Sequence, residues 1–351
     1  MQSTLVVKTA AKNAELVRRA IADAGVLRGD LVPLREADFV LFPVTRKIAL
    51  PAGVKHSCSF ERSSKLEART RPGDFKELLA AFLTNAELAA AIKSFDVVGV
   101  IAVIQVPAKL NGKAKRIARA LLASHPRVKT VLQKTGGRTG AFRVQRVRWL
   151  AGAKTFATLH RENNCLFKVN LKTAYYSPRL STERERIAGL VKPNEKVLVP
   201  FAGVGPFAIP IARLQPSAEV VGIELNPAAA RLFKENVALN KMDGRVRAVR
   251  GDALKAMASP EFRAWADRIV MPLPHSARSF LPAALKALKR GGTIHFYRIV
   301  DKTLGEKELE REAREACAAA EPKRKFRRIA SRHVINYSPR LAEFVLDFKA
   351  S

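Results

Sequence analysis

Residues 197–209, VLVPFAGVGPFAI, join an apolar strand, a glycine-bearing turn and the start of a helix, and this join constrains the fold more than any other segment. A strand apolar at successive positions has to be covered on both faces. Glycine in the turn lets backbone N–H groups come close to a ligand, and the N-terminus of the next helix favours negative charge. The surrounding pattern extends the unit. STERERIAGLV reads as a helix, KVLVPF as a strand, AEVVGIEL as a strand, PAAARLFKENVALN as a helix and RVRAVRGD as a strand. ADRIVMPLP, PAALKALK and GTIHFYRIV add strand, helix, strand. Such alternation predicts an α/β fold, a mostly parallel, doubly wound sheet over residues 176–351 with its ligand at the carboxyl ends of the strands.

Three consecutive strand ends then carry polar chemistry. The first is Phe201-Ala202-Gly203-Val204-Gly205; the second ends in Glu224, followed by Leu225; the third ends in Gly251-Asp252-Ala253. Glu224 is placed to accept both ribose hydroxyls, and Asp252 to accept from an adenine amino group. A dinucleotide site usually wants a third glycine, where this chain has Ala208. The order therefore suits S-adenosylmethionine and a class I, Rossmann-like methyltransferase domain. A plainer reading, in which Glu224 and Asp252 cap the following helices, stays open at this point.

Upstream, residues 1–55 read as a small α/β domain: STLVVKTA is strand-like, 13–24 helical and FVLFPVT a second strand. Residues 56–74 read as a linker. Residues 75–175 read as a basic α+β domain with helices at 75–83, 86–95 and 115–125. In it, VVGVIAVIQV (97–106) reads as one buried strand, 136–140 as a glycine loop, and FATLHRENNCLFKVNL as a hairpin. Charge gives this middle region a partner. The chain has 63 Lys and Arg against 31 Asp and Glu, a formal +32. No acidic residue occurs between Asp96 and Glu162, where Lys109, Lys113, Arg116, Arg119, Arg138, Arg143, Arg146 and Arg148 all fall. One-signed stretches of this kind suit a phosphate backbone and point to nucleic acid. Cys58, Cys165 and Cys317 make no metal-ligand spacing, which predicts no metal site and fits a reducing cytoplasm. No apolar run nears the roughly 20 residues of a membrane span, and no heptad seam argues against a monomer.

FAGVGPFAI, IELNPAAARLFKENVALN, RGDALKAM and MPLPHSARSFLPAALKALKRGGTIHFY, preceded by LHRENNCLFKVNLKTAYYSPRLSTERERIA, resemble the archaeal and eukaryotic tRNA (guanine-N1)-methyltransferases. The resemblance spans most of the chain, although the first fifty residues match only in pattern. That family acts on guanosine at tRNA position 37, so the resemblance implies tRNA as partner, gripped at its elbow by the N-terminal domain and engaged at the anticodon stem-loop. It implies Glu183 as general base for the N1 proton, Arg143 as the cation at O6, and Arg184 on the cofactor side. Substrate contacts are implied at Arg179, Pro272 and Pro274. Arg146 and Arg148 stand near Arg143 as phosphate binders. The plain reading of Glu183 is a favourable charge at a helix N-terminus.

Two positions depart from the family pattern. Val199 stands where an acidic residue is usual, and Pro272-Leu273-Pro274 where Asn-Leu-Pro is common. Backbone carbonyls at that turn, at Pro272 above all, then take over recognition. His160 is read as ordering a loop and His275 as capping or touching RNA. Two rival functions are a wyosine-pathway transferase acting on the same nucleoside and a tRNA-binding protein whose transferase site has decayed. A cytosine carbon-5 methyltransferase is excluded by the want of a cysteine nucleophile after a strand-end proline.

Overall fold

The computed structural model describes residues 3–24, 26–28, 31–66, 75–91, 94–140 and 142–351. Residues 67–74 of the expected linker, residues 92–93 of an expected helix and the Arg138 side chain lie outside the described residues. The chain divides into two compact units, Met1–Asp74 and Phe75–Ser351.

In the first unit, β1 (Thr4–Ala10), α1 (Ala14–Asp23), β2 (Leu34–Glu36), β3 (Phe39–Pro43) and β4 (Cys58–Ser63) build an antiparallel sheet in the order β2-β3-β1-β4 with one helix. Val17 and Ile21, one turn apart on α1, are buried with Val7 and Phe42. Strand β4 falls where the sequence suggested a linker. Its alternation is polar, and the pairing of Thr4–Thr9 with Ser63–Cys58 makes it a strand nonetheless.

The second unit starts with α2 (Phe75–Ala80) and α3 (Asn85–Ala90), the latter opened by a capping box between Thr84 and Glu87. A four-stranded sheet follows, β5 (Asp96–Val98), β6 (Ile101–Ile104), β7 (Thr130–Thr139) and β8 (Val144–Gly152), with α4 (Ala114–Ser124) crossing between the parallel strands β6 and β7. The apolar run 97–106 is thus two antiparallel strands. Gly99 turns between them at φ +55, and a Cβ there would fall 2.2 Å from Thr158 Oγ1. His160 Nδ1 accepts from the Gly99 N–H at 2.9 Å and orders that turn. Gly136 and Gly137 lie inside β7, at a register shift between Lys134 and Arg138, so the expected loop comes later, at Gly140–Arg143.

Strands β9 (Ala157–Glu162) and β10 (Cys165–Asn170) form the expected hairpin, turned by Asn163 and Asn164 at φ 48 and 57. The catalytic sheet is built from β11 (Lys196–Pro200), β12 (Glu219–Glu224), β13 (Val246–Arg250), β14 (Ala266–Met271), β15 (Leu288–Asp301), β16 (Phe326–Asn336) and β17 (Leu341–Ala350). Its order is β13-β12-β11-β14-β15-β17-β16; β11 to β15 run parallel, and β17 lies antiparallel between β15 and β16. The accompanying helices are α5 (Ser181–Leu190), α6 (Ala208–Leu214), α7 (Pro227–Leu239), α8 (Ala253–Ala258), α9 (Leu281–Ala287) and α10 (Gly305–Ala319). This is the doubly wound class I arrangement.

Two asparagines dock the hairpin on this sheet. Asn236 in α7 accepts from Lys168 N–H at 2.7 Å and donates to Lys168 O at 3.1 Å. Asn240, at the helix end, accepts from Leu166 N–H at 2.8 Å and donates to Leu166 O at 2.6 Å. Side-chain amides at i and i+4 thereby stand in for a neighbouring strand along β10. Phe167 and Val169 share one apolar core with Val197 and Phe207 and with Ile101 and Leu132, so no break between cores falls at the expected boundary of residue 175. Among the described residues no helix is long and apolar enough to cross a membrane, and no group of His, Cys, Asp and Glu could hold a metal ion.

Candidate active site

The carboxyl ends of β11, β12 and β13 open on a cavity of about 400 Å³. Its wall takes Phe201 and Gly203 from the first strand end, Glu224, Leu225 and Asn226 from the second, and Asp252 and Ala253 from the third. Pro272, Leu273, Pro274, His275 and Ser276 line it after β14, and the β7–β8 tip adds Gly140, Phe142 and Arg143.

Backbone conformation explains the turn. Phe201, Gly203 and Gly205 all have positive φ, at 63, 58 and 93. Gly203 faces the cavity, and a Cβ there would meet nothing within 4 Å, which leaves its surface open to a ligand. Gly205 has the opposite task. A Cβ on it would come within 2.4 Å of the Phe233 ring, so this glycine lets α7 pack and does not line the cavity. Ala202 is likewise buried behind the wall, its N–H donated to Ile223 O at 2.9 Å.

Glu224 accepts the Gly203 N–H at Oε2 and the Asn226 N–H at Oε1, each at 2.7 Å. Burial pushes its carboxyl up from the usual range, and these backbone donors work against that. Glu224 does not cap α7; Asn226 does, accepting from Ala228 and Ala229. Asp252 both caps α8, through Oδ1 at 2.7 Å from Leu254 N–H, and lines the cavity. Two acids at successive strand ends, an open glycine and the aromatic pair Phe201–Phe280 at 4.7 Å make a donor set and an apolar wall that fit S-adenosylmethionine.

The remaining expected residues divide. Arg143 lines the cavity at the hairpin tip, in a left-handed conformation with φ 49. Arg146 and Arg148 follow it on one exposed face of β8, with Arg148 Nε donating to Gln133 at 2.9 Å. Arg179 is off the cavity and paired with Asp96 at 2.6 Å. Arg184, expected beside the cofactor, is a correction. It is buried, its Nη1 donates to both Glu162 oxygens at 2.7 and 2.9 Å, and its guanidinium covers the Tyr176 ring at 4.8 Å. The buried Glu162 carboxylate captures it, so Arg184 ties α5 to the hairpin and does not line the cavity. Pro272 and Pro274 both line the cavity, and the Pro274 carbonyl is already taken by Ile299 N–H at 3.0 Å and Arg298 Nη1 at 3.3 Å. Val199 is buried in the apolar core.

Glu183 is not among the lining residues. It is buried at the start of α5, accepting from the Tyr297 hydroxyl at 2.6 Å and from Arg186 at 2.7 and 2.9 Å. Its level in the fold is still that of the strand ends. Tyr297 follows Phe296, the register partner of Met271, the last residue of β14 before the Pro272 turn. Sequence reasoning missed Tyr175, Phe142, Asn226 and Phe280 in the wall. Asn226 carried a visible signal as an N-cap before Pro227; the aromatics carried none.

Comparison with known proteins gives the same frame. Residues 158–334 match the TRM5/TYW2 methyltransferase domain, and residues 75–155 match the TYW2 N-terminal domain. The chain is 35% identical to the tRNA (guanine(37)-N(1))-methyltransferase Trm5b of Pyrococcus abyssi, across 99% of each chain. It is similar to the solved complex of aTrm5 with tRNALeu, at a TM-score of 0.70 and 28% identity, covering 99% of this chain and 100% of that one. It is similar also to TYW2 of P. horikoshii in complex with MeSAdo, at 0.66 and 27%, covering 79% and 97%.

Proposed function

The chain belongs to the TRM5/TYW2 methyltransferase family, and from that premise we propose that it methylates N1 of guanosine at position 37 of tRNA. It is an S-adenosylmethionine-dependent methyltransferase, and tRNA is its partner. One observation carries the geometry: the tip of the basic β7–β8 hairpin brings Arg143 into the same cavity wall as Gly203, Glu224 and Asp252. A cation for the substrate and the carboxylates for the cofactor therefore face one space.

When bound, S-adenosylmethionine supplies an electrophilic methyl carbon. The chain has to make guanine N1 nucleophilic, which requires removal of the N1 proton while charge gathers on O6. Glu183 accepts that proton at a carboxylate oxygen, and Arg143 donates to O6. Gly203 and Glu224 hold the ribose side of the cofactor, Asp252 and Ala253 its adenine side, and Phe201, Leu225 and Pro272 close around it. Pro272 and the exposed Arg146 and Arg148 meet the RNA, with the anticodon stem-loop against the hairpin and the elbow held by the N-terminal unit. The enzyme works as a monomer in the cytoplasm, a setting that suits its three free cysteines.

The test uses labelled S-adenosylmethionine and unmodified transcripts with guanosine or adenosine at position 37, the product nucleoside being identified by mass. N1-methylguanosine from the guanosine transcript alone is the expected result. Transfer of an aminocarboxypropyl group, or no transfer to either transcript, overturns it.

A further inference from the structure

Helix α5 lies on the face of the sheet presented by β15, β17 and β16, and strand register sets what it meets there. Tyr297, Val345 and Arg332 stand opposite one another across the three strands; His295 and Asp347, two residues away, share their face. Glu183 and Arg186 are nearly one helical turn apart, so Glu183 stands over the first row and Arg186 over the second.

The hydrogen bonds are unequal at the two carboxylate oxygens. Glu183 Oε1 takes the Tyr297 hydroxyl at 2.6 Å and Arg186 Nη2 at 2.7 Å, while among the described residues Oε2 takes Arg186 Nε alone, at 2.9 Å. A carboxylate oxygen offers two lone-pair sites. Oε1 is filled and Oε2 keeps one acceptor position, with the half-exposed Arg332 guanidinium 3.9 Å from it. Arg186 is itself gripped from behind. Its Nη1 donates to Asp347 Oδ2 at 2.7 Å, Asp347 Oδ1 meets His295 Nδ1 at 2.6 Å, and His295 Nε2 meets Arg268 Nη1 at 2.8 Å. Arg268 closes the row on Glu195 at 2.7 Å.

Resting on the assignment of Glu183 as base, we propose that Arg186 and Tyr297 are positioning residues that present Oε2 of Glu183 as the proton-accepting atom, with Asp347 and His295 fixing Arg186 in turn. The planar guanidinium sets the plane of the carboxylate. The Tyr297 hydroxyl completes the hydrogen bonding of the other oxygen, which leaves Oε2 as the oxygen with room for a further donor. Groups facing Glu183 are Arg186 from its own helix, Tyr297 from β15 and Arg332 from β16, and Asp347 of β17 reaches it through Arg186.

Two variants of the full chain test this while keeping the helix and its charge count: Tyr297→Phe and Arg186→Lys. Single-turnover methylation of the guanosine transcript is followed, with KM measured for tRNA and for S-adenosylmethionine. Each variant is expected to lower kcat by about tenfold or more, as for a misplaced general base, and to leave both KM values within about threefold. Folded variants with parental kcat, or whose loss lies in KM instead, overturn the proposal. Glu183→Gln separates the premise: if it retains parental kcat, the base assignment fails; if it is inactive while the two variants match the parent, only the positioning roles fail.

Discussion

Asn236→Ala tests whether side-chain amides truly replace a strand along the edge of β10. The Asn236 amide is wholly buried and makes three bonds to backbone: it accepts from Lys168 N–H at 2.7 Å and donates to Lys168 O at 3.1 Å and Val204 O at 3.0 Å. Alanine leaves three backbone groups without their partner, each worth about 1–3 kcal/mol where water cannot replace it. Lys168 is exposed, so its two groups regain some hydration, whereas Val204 is buried in the turn. The expected loss is about 3–5 kcal/mol, near the upper range for a single substitution. Asn240→Ala removes three backbone bonds as well, two at Leu166 and one to Asn236 O, and is expected to cost a similar amount; the double variant is expected to be non-additive since both dock one hairpin.

The assay is urea unfolding followed by circular dichroism, comparing midpoints at constant slope. Activity supplies a second readout, because this hairpin carries Glu162, which holds Arg184 of α5, one residue from Glu183. A folded Asn236→Ala protein is expected to lose activity at temperatures well below its unfolding midpoint. A stability loss under about 1 kcal/mol would refute the reasoning, since water would then be serving β10 as well as the amide does.

Other outcomes follow from the same geometry. Glu224→Gln replaces an acceptor pair by one acceptor and one donor facing the Gly203 and Asn226 N–H groups, and is expected to weaken S-adenosylmethionine binding roughly a hundredfold by calorimetry; an unchanged Kd sinks the ribose assignment. Arg146→Ala and Arg148→Ala are each expected to weaken tRNA binding and to reduce the slope of log affinity against log salt by about one; unchanged slopes place the RNA elsewhere. For Asp347, burial pushes the carboxyl up, but the bonds from His295 and Arg186 outweigh it and hold the group at about 2. A depressed acid stabilises the fold above its unfolded value and loses that contribution as pH falls through the folded value. Acid titration of stability between about pH 4 and pH 2 is therefore expected to be shallower in Asp347→Asn, and an unchanged slope would show that the pair contributes nothing.

What could be read from the chain followed the range of the interactions involved. The strand ends at Phe201, Glu224 and Asp252 were legible because one short segment carries strand, turn and helix together. Even there the spelling did not say which glycine serves the ligand. Gly203 faces the cavity and Gly205 makes room for Phe233, a residue of α7, beyond the next helix and strand. The apolar run 97–106 concealed a turn because no polar residue separates its two strands; Gly99 was its one mark. β16 and β17 escaped notice for the opposite reason in part, since FRRIASRHVIN is an edge strand exposed along most of its length.

The charges near Glu183 lie furthest from sequence reasoning, and they matter most to chemistry. STERER reads as a solvated helix start, six residues with four charges, yet Glu183 and Arg184 are both buried. Arg184 is neutralised by Glu162 of the distant hairpin, and Glu183 by Arg186 of its own helix, itself anchored 161 residues away on Asp347. Isolated, either charge would be too costly to bury. On the proposal that Glu183 is the base, its carboxylate is placed only after the hairpin, α5 and the C-terminal strand have docked, so the stability of that assembly and the proposed proton removal depend on the same contacts. This predicts a coupling that local motif reading cannot supply. Substitutions on β17 or in the β9–β10 hairpin, none of which touch the cavity, should depress kcat in step with the loss of order at the start of α5.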